Sequence, residues 1–302
     1  MTQLPTTAAP SRSHATQPGH RTSQPLRAIS YNIRYATQSP VLGERPWTVR
    51  CPKLCTQLNF LTAGHESPFI CLQECLYYQV VDIQSRLGSS WSHIGRGRGR
   101  AETDGEFSPI FYRSGIWSCV RSETRWLSET PYQPSKGWDA VLNRIVTMGE
   151  FVNKTRGTRV VVMSTHFDHI GVKARQHSAE LLIQFAKEWS HDSDISPAVV
   201  LIGGDFNSTP NDGAYKTMTA PGSDMSDIAS LIPVDQHYGN HLTYTSFGEP
   251  TEWPKRIDFL FVQEPRTAVI TSFGVVSNSF DDQIRISDHR PVVADMDIVS
   301  YF

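Results

Sequence analysis

Short apolar runs alternate with amphipathic stretches along most of the chain, and many of the apolar runs stop on a polar side chain. Residues 26–33 read as a strand, residues 47–63 as helical, and residues 69–74 as a second, buried strand. Residues 77–87 place Val80, Val81, Ile83 and Leu87 near helical spacing. The texture then changes. Residues 91–94, 109–113, 116–127, 144–153 and 159–165 are β-rich runs separated by Gly, Ser and charged turns, and their short connections predict antiparallel neighbours. The clearest helix spans residues 172–189, with Ala179, Leu182, Ile183 and Ala186 on one face. An apolar block at 198–202 runs into Gly203-Gly204-Asp205-Phe206-Asn207, and further strands are expected at 243–247, 257–262, 269–273 and 291–298. No internal linker or repeat interrupts the series. The pattern predicts an α/β fold in which two stacked sheets carry helices on their outer faces, over residues 26–302.

Residues 1–25 differ from the rest. They are rich in Ser, Thr, Pro and Gln and carry Arg12 and Arg21 without an acidic residue, a composition expected to remain a disordered tail. They have no apolar h-region, so a secretory signal is not expected, and the prolines spoil the amphipathic helix of a transit peptide. An intracellular, cytoplasmic protein is the expectation, with organelle targeting left open, and no apolar run is long enough to span a bilayer. With a net charge of −2 the chain lacks the global basic field of an indiscriminate nucleic-acid binder. The spacings Cys51/Cys55 and Cys71/Cys75 are looser than those of structural zinc sites, and core thiols are expected instead.

The ends of the apparent strands carry the candidate chemistry. Asn32 closes the first and Glu74 the second; the run at 160–165 delivers His166, Asp168 and His169; the block at 198–202 delivers Asp205 and Asn207. Asp258 sits among apolar neighbours, and Asp288-His289 precedes the last strand. Each has a plainer explanation as a turn former, cap or core histidine. Converging at one end of the strands, they could satisfy one another or a metal; unpaired and buried, they would cost several kcal/mol each.

The ordered set Ser30-Tyr31-Asn32-Ile33-Arg34, Leu72-Gln73-Glu74, Ser164-Thr165-His166-Phe167-Asp168-His169, Gly204-Asp205-Phe206-Asn207, Arg256-Ile257-Asp258-Phe259 and Ser287-Asp288-His289-Arg290-Pro291 resembles the endonuclease/exonuclease/phosphatase (DNase I-like) superfamily. Gly105-Glu106-Phe107-Ser108-Pro109-Ile110-Phe111-Tyr112-Arg113, Trp126-Leu127-Ser128-Glu129-Thr130-Pro131 and Lys136-Gly137-Trp138-Asp139-Ala140 resemble a microbial-type subgroup of it. The resemblance implies a four-layer α/β sandwich, two facing mixed sheets flanked by helices, and a Mg²⁺-dependent phosphoester hydrolase in which Mn²⁺ can substitute.

By that resemblance Glu74 is the main metal ligand, helped by Asn32 and Asp288. Asp205 orients or deprotonates the attacking water, Asn207 donates to phosphoryl oxygens, His289 contacts the phosphate with Asp258 holding its ring, and His166 lies near the leaving group. Arg144 is expected to neutralise phosphate charge, Arg98 of the Gly95–Arg100 loop to touch substrate or else ride a solvated hairpin tip, and Trp138 and Asp139 to form a substrate wall. A monomer acting on a small phosphorylated metabolite, a phosphoinositide or a short single strand is favoured over duplex DNA. The alternatives are an endo- or exonuclease of deadenylase type and a non-hydrolytic phosphate-ligand binder on the same fold.

Overall fold

A computed structural model of the chain describes residues 21–191, 198–263 and 268–301, so the expected tail lies outside the described residues as far as residue 20. In chain order the elements are β1 (Arg21–Asn32), α1 (Trp47–Thr62), β2 (Pro68–Gln73), α2 (Tyr77–Leu87), β3 (Trp91–Ile94), β4 (Ile110–Arg113), β5 (Trp117–Trp126) and β6 (Ile145–Asn153). There follow β7 (Arg159–His166), α3 (Val172–His191), β8 (Val199–Asp205), α4 (Gly213–Met218), β9 (Met225–Asp227), β10 (Tyr238–Gly239), β11 (Asp258–Gln263), β12 (Ala268–Val275) and β13 (Val292–Tyr301). They form a 7-stranded sheet in the order β10-β12-β13-β1-β2-β4-β3 and a 6-stranded sheet in the order β5-β6-β7-β8-β11-β9. Both are mixed: β1 runs parallel to β2 and β7 parallel to β8, while β13 is antiparallel to β1 and β11 to β8.

The alternation of side chains along these strands builds the layers. Leu26 and Ala28 of β1 and Phe69 and Cys71 of β2 face Val160, Val162, Leu201 and Leu260 of the other sheet. The intervening Ile29, Tyr31, Ile70 and Leu72 point the other way, onto Leu54 and Leu58 of α1 and Val80 and Ile83 of α2. In the second sheet Val161, Met163, Val200 and Ile202 turn outward onto Ala179, Leu182, Phe185 and Ala186 of α3. Strands covered on both faces are apolar at every position, which is why they appear as continuous runs in the sequence. The four-layer α/β sandwich is as expected, and the thiols of Cys51, Cys55, Cys71 and Cys75 are free and buried in its cores. Among the described residues no helix is long and apolar enough to cross a membrane.

Two boundaries differ from the sequence reading. β1 starts at Arg21 rather than at residue 26, its first residues pairing with the far end of β13. The polar composition and Pro25 hide this extension. Pro25 is tolerated because β2 joins β1 only from Arg27 onward, so no second strand needs its missing N–H. The strand expected at 243–247 does not form: Tyr244 makes only isolated bridges to Lys255 and His289. The hydroxyl of Thr243 instead accepts from the amides of Ile257 and Asp258, each at 3.0 Å, fixing the start of β11.

Candidate active site

The parallel strands β1, β2, β7 and β8 end at one edge of the sandwich, where the antiparallel β11 and β13 begin. His166 is paired opposite Asp205, and Asp205 opposite Asp258. In the other sheet, Ser287 just ahead of β13 places its hydroxyl 2.7 Å from the carbonyl of Asn32. Asn32, Glu74 and His289 thus come from one sheet, and His166, Asp205 and Asp258 from the other. Gly203 and Gly204 let the sheets and strands close up here: a Cβ on Gly203 would sit 2.9 Å from Cys71 Cβ, and one on Gly204 2.6 Å from Thr165 O. Three residues of this edge occupy the left-handed region that favours glycine, Arg34 (φ 58°), Glu74 (φ 62°) and Asn207 (φ 46°). Backbone held this way costs of order 1–3 kcal/mol per residue and persists where the surroundings over-determine it.

Hydrogen bonds join the two half-sites. The Asn32 amide donates to Glu74 Oε1 at 3.0 Å and to Asp205 Oδ2 at 2.9 Å, spanning the seam between the sheets. Tyr35 N donates to Glu74 Oε2 at 3.1 Å, and Asn207 N to Asp205 Oδ1 at 2.9 Å. The Asn207 side-chain amide donates to Phe167 O and meets His166 Nε2, both at 3.0 Å. With the amide placed so, Nε2 accepts and the His166 ring proton sits on Nδ1. His289 Nδ1 is 2.8 Å from Asp258 Oδ2, while its Nε2 lies 3.6 Å from Asp205 Oδ2.

The charges are arranged unequally. Burial opposes the imidazolium of His289, but Asp258 and Asp205 outweigh it and hold the ring's pKa well above the ordinary histidine range. Burial, with the charges of Arg144 and Arg98, holds His166 neutral, well below that range. Burial and the charge of Asp258 push Asp205 up to about 7, against the pull of His289. For Glu74 burial raises the carboxyl, but Arg34, the Asn32 amide and His289 win and keep it ionised below the usual carboxylate value. Burial raises Asp288, and the neighbouring charge of Glu74 adds to that. Asp205, Asp258 and His289 bring one ligand atom each to within 4.8 Å of one another and could hold a metal ion.

The sequence profile of the endonuclease/exonuclease/phosphatase family matches residues 29–289. The chain belongs to this family. Its members are phosphoester hydrolases, and they typically use a divalent metal. A family member from Bacteroides vulgatus is similar in structure with a TM-score of 0.80 and 32% identity, over 91% of this chain and 99% of that one. A mannosyl-6-phosphatase from Bacteroides thetaiotaomicron follows at a TM-score of 0.79 and 31% identity, over 90% and 99% of the two chains. At 17% identity, D. rerio TDP2 complexed with a single-strand DNA product shares the fold with a TM-score of 0.68, over 90% and 98%. No curated protein sequence is significantly similar to this chain.

Around this family site the remaining expected residues separate. Arg144 is buried, with Nη2 3.0 Å from His169 Nδ1 and Nε 3.5 Å from Asp168 Oδ2. A small cavity beside it is lined by Arg98, Glu106, Phe107, Ser108, Ile145 and His166. Arg98 does not ride a solvated tip. Its guanidinium makes a bidentate pair with Glu106 at 2.8 and 3.0 Å, and its loop is laced by bonds from Gly97 N to Glu102 O and from Gly99 N to Asp104 O. Asp139 is exposed, and its oxygens accept the amides of Lys173 and Ala174 at the start of α3, at 3.2 and 2.7 Å. Trp138 stacks on His177, with ring centroids 4.5 Å apart. Asp288 is buried, and its Oδ1 accepts from the Ser287 hydroxyl at 3.2 Å. Arg34, Glu106 and Thr243 were not singled out from the sequence. Arg34 and Glu106 lie inside quoted motifs, so their positions were visible, but the partners that give them a place come from segments distant in sequence.

Proposed function

We propose that this chain is a Mg²⁺-dependent phosphatase of small phosphorylated metabolites, sugar phosphates foremost. The observation that carries the reading is the Asn32 amide shared between Glu74 and Asp205 at 3.0 and 2.9 Å, which fixes an ionised carboxylate and a candidate base on either side of one seam. The fit to a hard dication follows from the donor set. Glu74, half-buried, and Asp288, buried, are carboxyl groups whose charges oppose each other, and oxygen donors are what Mg²⁺ takes. Glu74, with Asn32 and Asp288, would hold the ion, and His289 is better read as a proton carrier, since its Nδ1 is already committed to Asp258. Bound there, the ion supplies charge neutralisation for the phosphoryl oxygens.

The protein's own groups account for the rest. Asp205, raised towards neutrality, takes the proton of the attacking water as its oxygen bonds to phosphorus. The Asn207 amide keeps its bond to Phe167 O and exchanges the one to His166 Nε2 for a phosphoryl oxygen, and the protonated His289 ring, oriented by Asp258, offsets the charge of those oxygens. The ester P–O bond breaks towards His166 and Arg144, where the guanidinium offsets charge on the leaving oxygen until that oxygen takes a proton from solvent water and leaves as the alcohol. The mannosyl-6-phosphatase relative at 31% identity and the mildly acidic net charge of −2 both favour a small sugar ester over a duplex. A panel of mannose 6-phosphate, other hexose phosphates, inositol phosphates, bis-p-nitrophenyl phosphate, oligo(A) and plasmid DNA tests this, with Mg²⁺, Mn²⁺ and EDTA arms. Metal-dependent phosphate release from hexose phosphates is expected; turnover that survives EDTA, or that is fastest on plasmid DNA, would count against it.

A further inference from the structure

The loops that carry half of the site have no sheet to hold them. Past the end of β1 the chain runs through residues 33–36 without regular structure, and residues 284–291 approach β13 in the same way. Their carbonyls need donors. Many of those donors belong to a single side chain. Arg50 of α1 is 0% exposed, and its guanidinium Nη1 donates to Ile33 O at 2.7 Å and to Ile286 O at 3.1 Å. Nη2 donates to Arg34 O at 3.1 Å and Tyr35 O at 3.4 Å, and Nε to Arg45 O at 3.0 Å. The counter-charge is the buried Glu44, with Oε1 3.8 Å from Arg50 Nη2. Gln79 of α2, also 0% exposed, makes the next joint: it donates to Arg34 O at 3.2 Å and accepts from Ala36 N and Leu76 N, just past Glu74.

We infer that Arg50 is a positioning residue that ties the loop carrying Asn32 and Arg34 to the loop carrying Asp288 and His289. The inference rests on the hydrolase reading of the site. A guanidinium is suited to this because its planar fork presents five N–H donors in fixed directions, which the compact ammonium of lysine cannot do. Burying a charged group solely to stabilise a fold is a poor return, since an apolar replacement of similar size often does as well. Its bonds here all run to main-chain oxygens, so the group sets loop positions without touching substrate.

The test is Arg50→Lys, which keeps charge and approximate length but loses the fork. Arg50→Gln, with one amide donor and no buried charge, carries the same readings if the lysine variant does not fold. In folded variant, kcat should fall roughly 100-fold while KM stays within about threefold, as expected when reacting groups are misplaced by about 1 Å. Hydrogen exchange, read on the same protein, should quicken in residues 33–36 and 284–290 and stay at the wild-type rate in β7 and α3. Wild-type kcat in the folded variant, or exchange that quickens evenly over the whole chain, would overturn the inference. If the wild-type protein releases phosphate from no ester, the hydrolase reading fails, and the exchange pattern alone decides the role of Arg50.

Discussion

Asp205→Asn separates chemistry from architecture at the centre of the site. The carboxylate accepts two bonds, from Asn207 N and from the Asn32 amide, each at 2.9 Å. A carboxamide offers one oxygen and one NH₂, so in either orientation one of those donors meets another donor. Losing that pairing costs about 1–3 kcal/mol. Relief of the crowding that pushes Asp205 up to about 7 acts in the opposite direction, so melting should move by only a few degrees. Catalysis has no such offset. An amide cannot take the proton of water, and kcat should fall by about 10²- to 10⁴-fold, or about 2.7–5.4 kcal/mol of barrier. The assay is phosphate release at saturating Mg²⁺ over a range of pH, with melting measured on the same samples.

The pH dependence carries a sign of its own. Because the folded carboxyl titrates above its ordinary 3.8, the protonated form is the one folding favours. The stabilisation is therefore present at low pH and is lost as pH rises towards about 7. Metal-free wild type should lose melting temperature across that window relative to Asp205→Asn, and its turnover should rise over the same window as the base ionises. A well-folded Asp205→Asn protein with turnover within about tenfold of wild type would refute the assignment of Asp205 as base.

Three further outcomes follow from the same geometry. Glu74→Gln should raise the Mg²⁺ concentration needed for half-maximal turnover by at least about tenfold, and an unchanged titration would remove Glu74 from the metal site. Deleting residues 1–20 should leave turnover and melting unchanged, whereas deleting residues 1–25 should lower melting, because it strips the pairing of Arg21–Pro25 with β13. Elemental analysis should find no stoichiometric zinc; zinc lost on Cys51→Ser/Cys55→Ser would contradict the core-thiol reading of those buried side chains.

The layers and the strand-end residues were legible in the sequence because both depend on local pattern. Residues such as Val160–Met163 and Val199–Ile202 are apolar on both faces, so they mark covered strands, and an interruption by Asp205 or His166 stands out against them. What stayed hidden depends on pairing at a distance. The extension of β1 to Arg21 exists only because β13 lies alongside, and nothing in its polar sequence announces it. Thr243 reads as the start of a strand until its hydroxyl is seen capping the amides of Ile257 and Asp258. Asp139 reads as part of a substrate wall with Trp138, and its bonds to the amides of Lys173 and Ala174 exist only once α3 is in place. Arg50 is one charged residue in a helix whose polar partners come from three separate segments, and no spacing rule singles it out.

Gly203 stands two residues before Asp205, and Cys71, whose side chain fills the place a Cβ would need, stands three before Glu74. This close contact between the sheets is thus a ruler laid between the strand ends that carry Glu74 and Asp205. A methyl group at Gly203 would wedge that ruler open and change the distance from Asp205 to Glu74 while leaving both side chains in place. The segments that could meet substrate, residues 95–107, 128–142 and 248–256, hang from the ends of the strands and leave this contact untouched. Changes in those loops can therefore reshape what reaches the site while the spacing of Asp205 and Glu74 stays with the core.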